Sequence, residues 1–430
     1  MTSAGVRGYT EHDAPADSIY NQCVRCGLCL PSCPTYLETL TETSGPRGRI
    51  SLIKAVGEGE LDLRSAGFVH QMSECLDCRA CEAVCPSGVH YGQLVETARA
   101  QLQQAAPARS PGALMARYFG LRLLFSRLGF LRFAARLLRF YQRSGLQTLA
   151  RRSGLLGALG LSKIESAAPR ISERFFIPAG QHYTASASRM SVMLHAGCIM
   201  QVAFSEVHEA TVEMLQRSRC NVVVPAAQGC CGAIAVHAGE IDLARELAKR
   251  NIETFEKSSA DLYVVNAAGC GSALKEYGEL FHDDPVWARR GHDFSAEVRD
   301  ICELLWEIGI PSPTRAVIAR ATYQDACHLA HAQRITAQPR ALLAGISGLE
   351  LIDLPESSVC CGSAGIYNLT EPAMAARLQK RKIDNLLTTG ADLVITANPG
   401  CAMQLRAGLK AAGSSMRVEH VVEVLNQAYA

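Results

Sequence analysis

Cysteines stand at positions 23, 26, 29 and 33, with Pro34 behind the last of them. Four more stand at 75, 78, 81 and 85, followed by Pro86. Both runs read C-x2-C-x2-C-x3-C-P, the bacterial pattern for [4Fe–4S] clusters in which the fourth cysteine ligates the other cluster. Three thiolates spaced by two residues wrap one face of a cubane, and the fourth lies too far along to close the same cube. The spacing therefore predicts two ligand sets. Cys23, Cys26, Cys29 and Cys85 form the first, and Cys33, Cys75, Cys78 and Cys81 the second. Structural zinc usually takes two CxxC-type pairs and gives no role to a fifth to eighth cysteine in this pattern. The proline lacks a backbone donor and ends a local helix or turn, which predicts that it fixes the direction of the fourth thiolate.

The flanking segments must hold these runs. GPRGRISLIKAV has helical periodicity after Gly48, and GQLVETARAQLQQA has it throughout. Residues 1–106 are thus predicted to be an α-helical two-cluster, ferredoxin-like domain. Lys and Arg number 43 against 41 Asp and Glu, a net charge of +2, which excludes a globally basic nucleic-acid binder. The first residues, MTSAGVRGYTEHDAPADS, lack the apolar core of a signal peptide. No stretch approaches the roughly 18 uncharged apolar residues of a spanning helix. Eighteen cysteines in such a chain point to a cytoplasmic location and to metal or redox chemistry.

Residues 107–188 are predicted to be a basic amphipathic helical segment and a linker, the linker running from about 164 to 188. From Ala108 to Lys163 there is no Asp or Glu, while Arg recurs at 109, 117, 122, 127, 132, 136, 139, 143, 151 and 152. At 100° per residue Arg132, Arg136, Arg139 and Arg143 form one stripe. Leu131, Phe133, Leu137, Leu138, Phe140 and Tyr141 fill the opposite arc. Two readings stand: docking on an anionic membrane surface, peripheral to the inner face of the cytoplasmic membrane, or packing on the protein itself or a partner with the arginines in solvent.

The rest is a duplication, predicted as repeats over 189–312 and 313–430. Cys198, Cys230, Cys231 and Cys270 recur as Cys327, Cys360, Cys361 and Cys401, at offsets of 129, 130, 130 and 131 residues. Short β-branched runs precede the cysteines and helical stretches follow, which predicts parallel α/β sheets with the cysteines converging at the carboxyl edge. Gly232 and Gly362 permit a sharp turn after each cysteine pair. Cys220 and Cys302 fall outside the pattern and read as small buried apolar residues. His195, His328 and His331 flank the first cysteine of a copy, as tuning or ligating residues or as surface and outer-shell ones.

The two CxxCxxCxxxCP runs, the paired CCG repeats and the strings GPRGRISL, CPSGVHYG, CCGSAG and NPGC resemble the iron–sulfur subunits of glycolate oxidases, from about residue 20 to 425. Related architectures occur in anaerobic glycerol-3-phosphate dehydrogenases, lactate-oxidation iron–sulfur proteins and heterodisulfide reductases. The resemblance implies a multi-subunit oxidase. A separate FAD-binding flavoprotein would oxidise glycolate to glyoxylate, and this subunit would carry electrons toward a quinone or another acceptor. It implies two [4Fe–4S] clusters on the eight N-terminal cysteines. In the heterodisulfide reductase branch the motif ends in a CxxC pair. Here Cys270 is followed by Gly-Ser-Ala273 and Cys401 by Ala-Met-Gln404, which counts against a disulfide-cleaving cluster. A third iron–sulfur cluster on Cys198, Cys230, Cys231, Cys270, Cys327, Cys360, Cys361 and Cys401 and a metal-free scaffold both remain open. No GxGxxG follows a strand and no flavin signature is present, so no catalytic residue is assigned and the chain reads as an electron wire. The competing readings are a subunit of a lactate or glycerol 3-phosphate dehydrogenase complex, and a thiol–disulfide reductase acting at the CCG motifs.

Overall fold

The computed structural model describes residues 8–10, 12–105, 112, 115, 118–158, 160, 165 and 168–429. Arg109, Arg117 and the expected boundary at 106/107 lie outside these.

The N-terminal part is built of helices around the two cysteine runs. Pro46–Gly57, Ala66–Glu74 and Tyr91–Gln104 are the main ones, and Ile53, Val56, Phe68, Met72, Leu94 and Val95 between them have no exposed surface. The first starts two residues before Gly48, with Pro46 in its first turn, where the missing N–H costs nothing. Pro34 likewise opens a helix, Pro34–Thr39, instead of ending one. This corrects the sequence expectation for the first run. Pro86 behaves as expected, lying just beyond the short helix Ala80–Ala83.

The duplication reappears as topology. The first sheet has the order β1-β3-β2-β4-β5, with β2 Met190–Leu194, β3 Cys220–Val224, β4 Leu262–Val265 and β5 Val298–Asp300. The second has the order β7-β6-β8-β9, with β6 Ala319–Tyr323, β7 Leu349–Ile352, β8 Leu393–Thr396 and β9 Arg417–His420. Corresponding strands occupy corresponding places and all of these pairings are parallel. Strand β1, Gln181–Tyr183, comes from the segment read as linker and adds an antiparallel edge to β3. Three residues between Gly180 and Thr184 carry too little pattern to announce a strand. One apolar core runs through both repeats. They meet where Ala268 N donates to Ala397 O (3.2 Å) and Gly269 N donates to Asn398 Oδ1 (3.3 Å).

The Arg-rich segment forms the helix Leu128–Arg143. Two members of its arginine stripe, Arg132 and Arg139, turn toward the protein where the sequence readings left them in solvent or on lipid, while Arg136 and Arg143 stay exposed. Arg132 donates twice to Gln201 Oε1, Arg139 donates to Glu173 O, and the Arg139 guanidinium lies over the Phe175 ring. The apolar arc is split. Leu128, Leu131 and Ala135 are buried, while Phe133, Leu137 and Phe140 are 54%, 56% and 64% exposed. No helix among the described residues is long and apolar enough to cross a membrane.

The turns after the paired cysteines give the first test. Gly232 and Gly362 both have positive φ, +84° and +83°. A Cβ at Gly362 would lie 2.7 Å from Ala375 O, whereas at Gly232 the nearest atom is Ala244 Cα at 3.4 Å. Gly362→Ala should destabilise by about 1–3 kcal/mol, and more than Gly232→Ala. Anaerobic thermal unfolding of the two variants side by side checks this. Equal losses would mean that the backbone angle alone sets the cost.

Candidate metal centres

Each cysteine run bends around its own thiols through two left-handed residues. In the first these are Arg25 (φ +57°) and Gly27 (φ +83°), in the second Asp77 (φ +53°) and Arg79 (φ +61°). They flank the second cysteine of each run, so both loops share one shape. Cys23, Cys26, Cys29 and Cys85 line one pocket of about 430 Å³, together with Pro46, Arg47 and Tyr91. Cys33, Cys75, Cys78 and Cys81 line a second of about 300 Å³, with Arg49, Arg79 and Tyr91. Cys81 borders both. The grouping is the one into which the spacing divides the cysteines. Burial pushes the Cys29 thiol up to about 11, and Cys78 and Cys81 are also pushed up by burial. Thiolates in such places need a cation to hold them. Four sulfur donors around each cavity are the donor set a cubane requires, so the residues fit.

The second pocket is the more heavily supported. Arg49 is buried and donates to Gln71 O (2.8 Å), Thr35 Oγ1 (3.0 Å) and Glu74 Oε2 (3.1 Å). Thr35 Oγ1 in turn lies 3.3 Å from Cys33 Sγ. The Asp77 amide points at Cys75 Sγ (3.4 Å), and Tyr91 Oη lies 3.4 Å from the same sulfur. Arg79 joins Asp77, Glu96, Glu82 and Glu276, the last from the first repeat. Gly92 is needed here, because a Cβ would fall 1.7 Å from Arg79 Cζ.

This pocket also abuts the second repeat. Leu76, Cys78 and Ala80 pack in one cluster with Cys327, Cys360 and Tyr367. Tyr367 Oη donates to Glu74 O (2.7 Å) and Arg99 donates to the carbonyls of Met72, Cys75 and His237. His237 Nδ1 meets Asp77 Oδ2 at 3.1 Å. Arg49, Arg79 and His237 were not legible as site residues, since Gln71 and Glu74 on Arg49, Glu96 and Glu276 on Arg79, and Asp77 on His237 all come from distant segments.

In each repeat the four cysteines converge at the carboxyl edge of the sheet, where β3 and β4, or β7 and β8, part on either side of the central strand. Cys198, Cys230, Cys231 and Cys270 form a chain of thiol contacts. Cys327, Cys360, Cys361 and Cys401 form another, with Cys327 and Cys360 sulfurs 4.0 Å apart. Contact with Cys231, then the nearby His195 ring, lowers Cys270 to about 6 against its burial. Contact with Cys360, then His328, lowers Cys327. The histidines divide. His195 and His328 (Nδ1 to Cys327 Sγ 3.7 Å) lie at the thiols, whereas His331 Nε2 meets Ser358 O at 3.0 Å and holds a loop. Cys220 and Cys302 are fully buried, in β3 and in the helix Ile301–Ile308.

Known proteins share this organisation. A 4Fe-4S dicluster domain matches residues 19–89, the linker region of the glycolate oxidase iron-sulfur subunit matches 114–168, and a cysteine-rich domain matches twice, at 192–275 and 321–406. The probable glycolate oxidase iron-sulfur subunit of Bacillus subtilis (strain 168) is 40% identical over 94% of this chain and 93% of its own. The glycolate oxidase iron-sulfur subunit of Escherichia coli (strain K12) is 32% identical over 96% and 95%. Lactate utilization protein A of Shouchella clausii is 34% identical over 55% of this chain and 99% of its own.

Arg49 offers a test of the buried charge. Arg49→Met leaves Glu74 and the Thr35 hydroxyl without their donor in the interior. The loss should be about 3–5 kcal/mol, the usual cost of breaking a buried pair from one side. The chemical-denaturation midpoint reads it, and a cost below about 1 kcal/mol would mean that Glu74 reaches solvent.

Proposed function

Because the chain belongs to the glycolate oxidase iron–sulfur subunit family, we propose that it is the electron-transfer subunit of a multi-subunit glycolate oxidase. In this reading a partner FAD-binding flavoprotein oxidises glycolate to glyoxylate, and this chain carries the electrons toward a quinone. The observation that carries the reading is the ordering of the four-thiol pockets. The first opens at the surface, where Cys26 is exposed between exposed Val24 and Leu28. All four thiols of the second are buried and Cys78 borders the second repeat.

Cys23, Cys26, Cys29 and Cys85 would hold the first [4Fe–4S] cluster, and Cys33, Cys75, Cys78 and Cys81 the second. When bound, such clusters supply one-electron transfer at potentials set by burial and hydrogen bonding to sulfur. The chain's residues do the rest. Val24 and Leu28 give the flavoprotein an apolar landing beside the first pocket. The Asp77 and Val89 amides, each 3.4 Å from a cysteine sulfur, together with the Arg49 charge, favour added negative charge on the ligand sets. A third cluster, which the sequence leaves open, is placed in this reading on the second repeat, whose four thiols border Cys78 and lie beside a buried cation, Lys382. A thiol–disulfide reductase is disfavoured because Cys230, Cys231, Cys360 and Cys361 are all buried. A lactate complex is disfavoured because the lactate relative covers little more than half of the chain.

Quinone lies in a bilayer, and the face formed by Phe130, Phe133, Leu137 and Phe140 suits one. It points away from the core on the helix Leu128–Arg143. Arg122 and Arg127 beside it are exposed and form no ion pair among the described residues. Aromatic and leucine side chains flanked by unpaired cations suit shallow insertion at an anionic surface.

Two measurements test these assignments. Anaerobically purified protein should carry about twelve irons with matching acid-labile sulfide, falling to about eight in Cys327→Ser/Cys360→Ser. Wild-type protein with about eight would remove the third cluster, and iron-free folded protein would remove the electron-transfer reading altogether. Phe133→Ser/Phe140→Ser should weaken partitioning onto phosphatidylglycerol vesicles at least tenfold while iron content stays unchanged. Unaltered partitioning would assign the face to a partner protein.

A further inference from the structure

Both repeats grip the second cysteine loop, and they do so from one equivalent position. His237 stands six residues after Cys231, and Tyr367 stands six residues after Cys361. His237 ends the short helix Ala233–His237, and Tyr367 opens the short helix Tyr367–Thr370. Tyr367 Oη donates to the Glu74 carbonyl (2.7 Å), while His237 Nδ1 donates to Asp77 Oδ2 (3.1 Å). The second of these bonds bears on sulfur. Asp77 is a non-glycine residue at φ +53°, its side chain is sealed from solvent, and its amide donates to Cys75 Sγ (3.4 Å). Such a backbone persists only where its surroundings over-determine it. Arg79 Nε holds the Asp77 carboxylate from within the loop (2.9 Å), and His237 holds it from the first repeat. The first loop lacks this support: Arg25 at the same place (φ +57°) has an exposed side chain. His237 is itself fixed, with Arg99 Nη1 donating to its carbonyl (3.4 Å) and its ring set edge-on to His328 (centroids 5.4 Å apart).

We propose that His237 is a positioning residue for electron transfer: it holds the Asp77 carboxylate so that the Asp77 amide stays aligned on Cys75, and thereby sets the reduction potential of the second cluster from the first repeat. An N–H aimed at a ligand sulfur stabilises the negative charge that reduction adds. The ionised carboxylate can only accept, so the proton of the bond lies on His237 Nδ1. The equivalent bond from Tyr367 ends on a carbonyl. It fixes the place of the loop and aims no donor at sulfur. The two copies have thus divided the work at one position, the second docking the loop and the first tuning it. The potential of the second cluster is then correct only while the first repeat is docked. The proposal rests on the reading of the eight N-terminal thiols as two cluster sites.

The test is a potentiometric titration of the anaerobically purified full chain, followed by EPR. His237→Phe keeps a ring and loses the donor. One N-terminal midpoint should fall by about 59 mV, a tenfold weakening of a one-electron reduction, with the other midpoint and the iron content unchanged. Asp77→Ala should lower the same midpoint, and adding His237→Phe to it should lower it no further. His237→Asn, whose amide nitrogen takes the place of Nδ1, should restore the wild-type value. His237→Gln, whose donor lies away from Asp77, should give the same fall as His237→Phe and serves where that variant fails to fold. Tyr367→Phe should lower the unfolding temperature and leave both midpoints in place. Midpoints unmoved at full iron in His237→Phe or, where that fails to fold, in His237→Gln would overturn the proposal. So would an equal fall in His237→Asn or in Tyr367→Phe, which would make loosened docking the cause. Folded wild-type protein without iron would instead overturn the reading on which the proposal rests, and the proposal with it.

Discussion

Neither cysteine run can finish a pocket by itself. Cys33 faces the thiols of the second run and Cys85 those of the first, so each cavity has walls from segments some fifty residues apart. This exchange forces the two loops to fold against one another and sets the place of everything between them. The helix Pro46–Gly57 must pass between the pockets, and it delivers Pro46 to both, Ile50 to one and Arg49 to the other. The common left-handed residues at the two loops follow from the same demand: each loop must turn three sulfurs inward within seven residues. Gly27 meets it freely. Arg79 meets it against its own preference, and its guanidinium is held by four carboxylates.

Concentrating thiolates in an apolar interior raises a charge problem that the fold answers locally. Burial pushes the Cys78 and Cys81 thiols up, and with them Tyr91 and Glu96. Arg49 and Arg79 keep their charge despite the burial that opposes it, because Cys75, Glu276, Asp77 and other acidic groups surround them. Those same contacts reach across to the repeats through Glu276 and through His237 on Asp77. The groups that balance the pocket are therefore also the groups that dock it. A substitution there would disturb position and charge together.

Legibility followed the range of the interactions. Cysteine spacing is local, and the 129–131-residue offsets of the duplication are read directly along the chain; the offsets carry the matching sheet plan of the two repeats. Helical periodicity located Tyr91–Gln104, Ile241–Glu256 and Pro372–Thr388. It failed on the helix Leu128–Arg143 in an instructive way. Periodicity separates an apolar arc from a cationic stripe, but both can find partners on a protein surface. Gln201, Glu173 and Phe175 recruited the arginines, and half of the apolar arc was left outside. Polar contacts made between segments dozens of residues apart, such as Tyr367 on the Glu74 carbonyl, leave no mark in a single sequence.

The duplication bears on what the repeats can do. Strand order, the Gly after each cysteine pair and the four thiols are held in common, so the scaffold tolerates identical backbone demands in both copies. The residues around the thiols are not held in common. His195 and Tyr263 in the first copy give way to Gln324 and Val394, while His328 in the second stands where the first has Ile199. Each difference moves a nitrogen donor from one side of the first cysteine to the other. The neighbours differ in the same sense, since it is the second copy whose Cys327 and Cys360 pack against Cys78. A duplicated sheet edge supplies two equivalent thiol sets, but only one of them can lie against the N-terminal pockets. The thiols of the first copy lie outside that cluster, in the core shared by the two repeats or packed against it.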